Sequence, residues 1–237
     1  MVTLNIDLGE LDGEPIELYA LATQVNVACG GHAGDEGSMR LACAHAVAAG
    51  VAIAAHPSYP DREGFGRRTM PIDPAILRAS IAEQCATLSR IARAEGGSVV
   101  AIKPHGALYH DVAMHEALAR ALVDGVLDAF GRGDELVFVG APSGRLAELV
   151  VQGNAAGAPR TKLLAEGFGD RAYDGDRLRP RTAAGALIVD PSAAAAQALT
   201  LARSGNYGTI CVHGDTPGAV DIARAVRRAL HDEGLLT

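Results

Sequence analysis

The chain has 237 residues, of which 49% are hydrophobic and 4% aromatic, and its formal net charge is −7. That length suits one large α/β domain or two small ones. Without Trp and with few other aromatics, the core must be built from Ala, Val, Leu and Ile. An acidic chain lacking a polybasic run argues against a nucleic-acid footprint and against an anionic membrane surface, and no apolar stretch approaches the length of a membrane span.

In chain order, Val2 to Asp7 alternates like a strand and ends in Asp7-Leu8-Gly9-Glu10, and Gln24 to Cys29 reads as a second strand. Asp35 suits the N-cap of an Ala-rich helix that runs to Ala49 and is closed by Gly50. Val51 to Ala55 is apolar at every position, as expected of a parallel strand covered on both faces. Asp73-Pro74 is an N-cap and N1 pair. Leu77, Ile81, Cys85, Leu88 and Ala92 follow at helical spacing, and Gly96-Gly97 ends that helix. Val99 to Ile102 reads as a fourth strand, and a helix is expected from about Ala113 to Phe130. Leu136 to Val139 and Lys162 to Ala165 read as the fifth and sixth strands. Ala186 to Val189 fits either a strand or an excursion. Thr209 to Val212 is the last clear strand, after which Thr216-Pro217 is expected to cap a final helix. Asp170 to Arg181, the most polar and irregular stretch, reads as a loop over one face. Alternating strands and helices predict parallel β/α units wound into a barrel or open sheet, with no linker to divide residues 1–237.

The four cysteines, Cys29, Cys43, Cys85 and Cys211, show no Cys-x-x-Cys spacing. They read as buried free thiols in a reduced, cytoplasmic setting. The N-terminus has no basic and apolar pair of regions like those of a signal peptide.

The chemistry gathers where strands end. Strand one is followed by Asp7 and Glu10, strand two by His32 and Asp35, strand three by His56 and, further out, Arg67 and Arg68. Strand four is followed by Lys103 and His105, strand six by Glu166, Asp170 and Arg171, the last strand by His213 and Asp215. In a parallel β/α fold these ends share one face, where such folds build their active sites. A single strand-end histidine could merely satisfy a backbone group; the joint pattern points to a site. Lysine is rare here (only Lys103 and Lys162). A partly buried lysine beside a proline is costly unless a carboxylate or an anionic ligand compensates it.

Seven stretches identify a family resemblance. They are Leu4-Asn5-Ile6-Asp7-Leu8-Gly9-Glu10, Asn26 to Asp35, Ala55 to Asp61, Gly64-Phe65-Gly66-Arg67-Arg68, Lys103 to Tyr109, Asp170-Arg171-Ala172-Tyr173 and Cys211 to Asp215. In this order, over nearly the whole chain, they resemble the LamB/YcsF family, which includes the A subunit of the bacterial ATP-dependent 5-oxoprolinase. The sequence departs from that pattern at Gly31, where an aromatic is usual, and at Glu36, where a proline is usual. Gly169 stands before Asp170 where alanine is usual, and the segment after Glu10 is short. The resemblance implies a distorted seven-stranded parallel β/α barrel, TIM-like and of the glycoside hydrolase/deacetylase type. It also implies opening of 5-oxo-L-proline to L-glutamate, coupled to ATP hydrolysis with Mg2+ and carried out with the 5-oxoprolinase subunits B and C.

Lactam activation by phosphorylation needs cations for the phosphoryl group, a base for water and an anchor for the substrate carboxylate. Asp7, His32, His56, Lys103, His105 and His213 are the expected catalytic residues. Arg67, Asp170, Arg171 and Asp215 are the expected cofactor-binding residues. Lys103 with Arg67 or Arg171 suits the anionic groups. His56, His105 or His213, oriented by Asp7 or Asp215, suits the base. There is no Gly-x-x-x-x-Gly-Lys-Ser/Thr segment, so a P-loop does not hold the nucleotide. Two rivals are a deacetylase with an Asp7, His32 and His56 metal triad and a non-catalytic ligand-binding subunit. The six catalytic candidates are expected to converge on one cleft, with the loops around Arg67 and Asp170 at its rim. Lys103→Met is expected to fold and to lose turnover.

Overall fold

The computed structural model describes residues 1–131, 135–155 and 161–237. Seven parallel strands close into a barrel: β1 (Thr3–Leu8), β2 (Gln24–Ala28), β3 (Ala52–His56), β4 (Val99–Ile102), β5 (Leu136–Gly140), β6 (Thr161–Phe168) and β9 (Thr209–His213), with β9 pairing to both β6 and β1. The barrel follows from period-two strands and alternating helices. On β1, Leu4, Ile6 and Leu8 point outward into the main core under the helices, while Asn5 and Asp7 point inward. On β5, Leu136 and Phe138 join that outer core; Val137 and Val139 join a small inner cluster with Ala54 and Ala101. Small apolar residues thus plug one level of the barrel and polar residues occupy another.

The helices are α1 (Glu17–Leu21), α2 (Glu36–Ala49), α3 (Pro74–Ala94), α4 (Gly106–Met114), α5 (Glu116–Phe130), α6 (Arg145–Ala155), α7 (Pro191–Arg203) and α8 (Ala219–Asp232). Asp35 caps α2 through the Ser38 N–H, and Gly50 closes it at φ 67°. Asp73 accepts from the Ala75 N–H at 2.7 Å, with Pro74 in the first turn.

Two expectations are corrected, and one left open, a strand or an excursion at Ala186 to Val189, is decided for the excursion. The helix expected from Ala113 to Phe130 is two helices, α4 and α5, separated at His115, whose backbone is extended. His115 N–H still donates to the Asp111 carbonyl and its own carbonyl accepts from Ala119, so no backbone bond is lost there. Ala186 to Val189 forms no strand, only a bridge between Arg171 and Leu187. Thr216 does not cap α8: its hydroxyl is committed to Asp170 at 2.6 Å, and Gly218 at φ 77° leads into the helix. The segment read as a loop carries a short hairpin, β7 (Tyr173–Asp174) against β8 (Arg177–Leu178), which folds over the strand ends.

Candidate active site

Strand register builds the first layer of the site. Asp7 stands opposite Asn26 of β2 and His213 of β9, and His56 closes β3 opposite Ala28. These ends line a cavity of about 1080 Å³ whose wall includes Asp7, His56, Lys103, His105 and His213.

Lys103 crosses the barrel mouth and is itself buried. Its Nζ donates to Asp7 Oδ1 at 2.8 Å and Asn5 Oδ1 at 3.2 Å, and lies 3.0 Å from Glu166 Oε1 and 2.9 Å from Cys211 Sγ. Burial would lower the lysine's proton affinity, but Asp7, Cys211 and Glu166 outweigh it and hold its pKa well above the usual value. Burial would likewise raise the Asp7 carboxyl, yet Lys103, His56 and His213 keep it well below the carboxylate range. Glu166 goes the other way: burial raises it more than Lys103 lowers it. Asn26 Nδ2 donates to Asp7 Oδ1 at 2.7 Å, and Asn5 Nδ2 to Glu166 Oε1 at 2.9 Å. An ammonium has three protons, and four acceptors already surround this one. Lys103 is therefore the counter-ion of two barrel carboxylates.

Two histidines stand on the other side. His56 Nδ1 donates to the Lys103 carbonyl at 2.7 Å, and His105 Nε2 donates to the Phe65 carbonyl at 2.9 Å. His105 Nδ1 lies 2.9 Å from His56 Nε2. The His32 ring stacks on His105, with centroids 3.5 Å apart, and its Nε2 is 2.9 Å from Glu10 Oε1. Burial pushes His32 down to about 3 and also lowers His105. Glu10 is thus the carboxylate beside His32, a place the triad reading gave to Asp7. Among the described residues, two groups of donor atoms lie close enough together to face one ion: Glu10, His32, His56 and His105, and separately Asp7, Cys211 and His213.

The Gly64-to-Arg68 loop holds this second cluster in place. Phe65 has φ 53°, the one positive φ outside glycine among the described residues, so its carbonyl is presented to His105 at some backbone strain. A Cβ on Gly66 would stand 2.9 Å from His32 Cβ and 3.0 Å from His105 Cδ2. Gly31, where an aromatic is usual, has no room for any side chain, because Ser58 Oγ and Gln84 Oε1 fill that space.

His213 is oriented by Asp170. Its Nδ1 lies 2.9 Å from Asp170 Oδ1, its backbone N–H donates to Oδ2 at 3.0 Å, and the Thr216 hydroxyl donates to the same oxygen. Burial lowers the imidazole's pKa, but Asp170 and Asp7 raise it further, and the net shift is upward. Nε2 makes no hydrogen bond among the described residues and lies 3.9 Å from Asp7 Oδ2. Asp170 itself is fully buried beneath His213, while the loop that follows it lines the cavity through Arg171, Leu178, Arg179 and Arg181.

The outer wall is cationic. Arg67, Arg171, Arg179 and Arg181 line the cavity. Arg67 and Arg181 both bind Asp215, and Arg179 binds Asp174 at 2.7 Å. Arg171 is buried; one guanidinium N–H donates to the Arg179 carbonyl at 2.8 Å, and its Nε has no acceptor among the described residues. Burial and the charges of Arg181 and Arg67 weaken its hold on its proton against the opposing pull of Asp170.

Sequence reasoning placed the six catalytic candidates on one face but left out Asn5, Asn26 and Cys211, and it named Glu10 and Glu166 without a role. The asparagines carried a usable signal: each is a polar residue in mid-strand, where a barrel interior must pair it.

A closed parallel barrel of seven strands wrapped by helices, with its ionisable side chains collected at the strand ends, is a β/α-barrel. A Streptomyces lividans family 4 carbohydrate esterase shares this fold, with a TM-score of 0.50 at 14% identity over 99% of this chain and 89% of the esterase. The chain belongs to the LamB/YcsF family, which it matches over residues 2–237. It is similar to the 5-oxoprolinase A subunit of Nocardia farcinica, at 42% identity over 98% of this chain and 96% of that protein. The corresponding 5-oxoprolinase A subunit of Pyrococcus furiosus is 38% identical over 99% of this chain and 95% of its own length. The structure of a lactam utilization protein from Thermus thermophilus superposes with a TM-score of 0.86 at 36% identity, covering 99% of this chain and 97% of that one.

Proposed function

We propose that this chain is the A subunit of a 5-oxoprolinase, opening 5-oxo-L-proline to L-glutamate at the expense of ATP, in the cytoplasm and together with subunits B and C. Full-length likeness to proteins of that name supports the reading. The observation that carries the chemistry is the pairing of an oriented imidazole, His213 on Asp170, with a cationic wall around Arg171, on one cavity.

A lactam carbonyl is a poor electrophile. In the proposed reaction the lactam oxygen attacks the γ-phosphorus of ATP and ADP leaves. A water molecule then adds to the lactam carbon and gives a proton to His213 Nε2. Collapse of that adduct breaks the ring C–N bond; the nitrogen takes the proton back and leaves as the amine, and an acyl phosphate remains. A second water hydrolyses it to the carboxylate and inorganic phosphate. Asp170 fixes the His213 ring and stabilises its protonated form. Arg171, with Arg67 and Arg181, holds the anionic phosphoryl and carboxylate groups. Lys103, saturated inside the barrel, instead sets the charge of Asp7 beside His213 Nε2. Mg2+ would accompany the nucleotide and share its phosphate charge.

The test is glutamate and ADP release from 5-oxoproline, ATP and magnesium, with this chain alone and with subunits B and C added. The expected result is release only with the partners, abolished by His213→Ala in this chain. Steady stoichiometric release by the isolated chain would remove the need for partners. Undiminished release with His213→Ala would leave this chain a binding subunit.

A further inference from the structure

Two carbonyls decide the protons on two buried histidines. Because His56 Nδ1 and His105 Nε2 each give their proton to a backbone oxygen, the neutral rings turn bare lone pairs on His56 Nε2 and His105 Nδ1 toward each other at 2.9 Å. Glu10 Oε1 lies 3.1 Å from the His105 atom and 3.6 Å from the His56 atom, and 2.9 Å from His32 Nε2. Acceptors crowd one point, and all four atoms lie within 4.8 Å of one another.

A proton can bridge two of these atoms; one ion bonded to Glu10 Oε1, His56 Nε2 and His105 Nδ1 satisfies those three at once, the two rings meeting edge to face at 88°. We propose that Glu10 Oε1, His56 Nε2 and His105 Nδ1 bind a single divalent first-row transition-metal ion. Tetrahedral bonds of about 2.0–2.1 Å put neighbouring ligand atoms about 3.3 Å apart, and the separations of 2.9, 3.1 and 3.6 Å among these three atoms bracket that value. Two imidazoles with one carboxylate select zinc and its neighbours over magnesium or calcium, which take oxygen shells. The outer contacts agree. A metal-bound histidine donates its other ring N–H to a carbonyl or carboxylate, as His56 and His105 do here. The Phe65 carbonyl is supplied by the strained residue of the glycine loop, which gives that strain a use. His32 is not a ligand, because its ring lies parallel to His105 at 3.5 Å and one ion cannot occupy both ring planes; its Nε2, 2.9 Å from Glu10 Oε1, positions that carboxylate instead. His56 and His105 also line the cavity, so the ion would sit in its wall.

The experiment needs neither lactam nor nucleotide, so its outcome is independent of the function proposed above. Untagged protein is stripped with a chelator, titrated with Co2+ and followed by visible absorption, with bound metal measured by plasma mass spectrometry. The expected result is one ion per chain with the d–d bands of a four- or five-coordinate site, displaced by Zn2+. His56→Ala and His105→Ala should each weaken binding by more than the ~10–100-fold that loss of an outer-sphere partner costs, and His32→Ala should weaken it less. His45→Ala, remote from the cluster, should bind like the wild type. Glu10→Gln keeps the shape of the side chain and removes its charge, and serves if a histidine variant fails to fold. Absence of saturable Co2+ and Zn2+ binding by the folded wild-type chain overturns the proposal, with a buried proton then holding the cluster. Binding that is indifferent to His56, His105 and Glu10 overturns it as well.

Discussion

Lys103→Met removes the cation that two buried carboxylates share. In the wild type the ammonium lies 2.8 Å from Asp7 and 3.0 Å from Glu166, all three side chains being nearly inaccessible to solvent. In the variant each carboxylate keeps an asparagine donor, Asn26 for Asp7 and Asn5 for Glu166, but neither keeps a counter-ion. Breaking a buried ion pair by deleting one member costs about 3–5 kcal/mol, because a charge is left uncompensated. In a protein of this size that corresponds to a drop in Tm of about 6–20 °C. The sequence alone leads one to expect that the variant folds and loses turnover; the burial of this network adds a stability cost to that expectation. The penalty has a pH signature. Without the ammonium the folded-state pKa values of both carboxyls rise, so protonation relieves the strain and the deficit shrinks as the pH falls. Glu166→Gln in the same background removes one charge and should recover about half of the loss. Thermal and urea unfolding at pH 5 and pH 8 measure all of this. A Tm within about 2 °C of wild type at pH 8, or a deficit that widens toward pH 5, would refute the reasoning.

Other predictions concern the site itself. Asp170→Asn withdraws the charge that raises His213, so the acid limb of the pH–rate profile should move to lower pH while turnover falls at least ~10²-fold; an unmoved limb argues against His213 as the base. The same His213 shift stabilises the fold fully below the unfolded imidazole value and is lost as pH rises through the raised one. The stability gap between wild type and Asp170→Asn attributable to His213 should therefore narrow with rising pH. Arg171→Met should raise KM for nucleotide or lactam by ~10-fold or more through loss of charge-assisted hydrogen bonds, and equal KM values would remove it from the anion site. Gly66→Ala combines φ 63° with contacts to His32 and His105, and should cost about 1–3 kcal/mol of stability, read by urea melts.

What was legible in the sequence was local. Period-two alternation marks β1, and an unbroken apolar run marks β3, because a strand's neighbours on the sheet impose those patterns wherever it pairs. Asp35 and Asp73-Pro74 mark helix starts, since a cap is satisfied within a few residues of itself. Asp190-Pro191 offers the same signal for α7, where Asp190 accepts from the Ala193 N–H at 2.7 Å, although no helix was expected there. That the ionisable side chains gather at the strand ends was legible too, because parallel β/α units put those ends on one face.

The partnerships were decided by tertiary structure. Glu10 rather than Asp7 reaches His32; Asp170 rather than Asp215 orients His213; Asp215 clamps Arg67 and Arg181. Lys103 looks from sequence like a free anion anchor and in the barrel is already enclosed by Asp7, Asn5, Glu166 and Cys211. These contacts join residues up to 148 positions apart. Their distances depend on how seven strands close and how far each loop folds back. A one-residue change of register would turn an inward carboxylate outward, and no residue-by-residue pattern specifies which carboxylate meets which cation once all of them point into the same barrel.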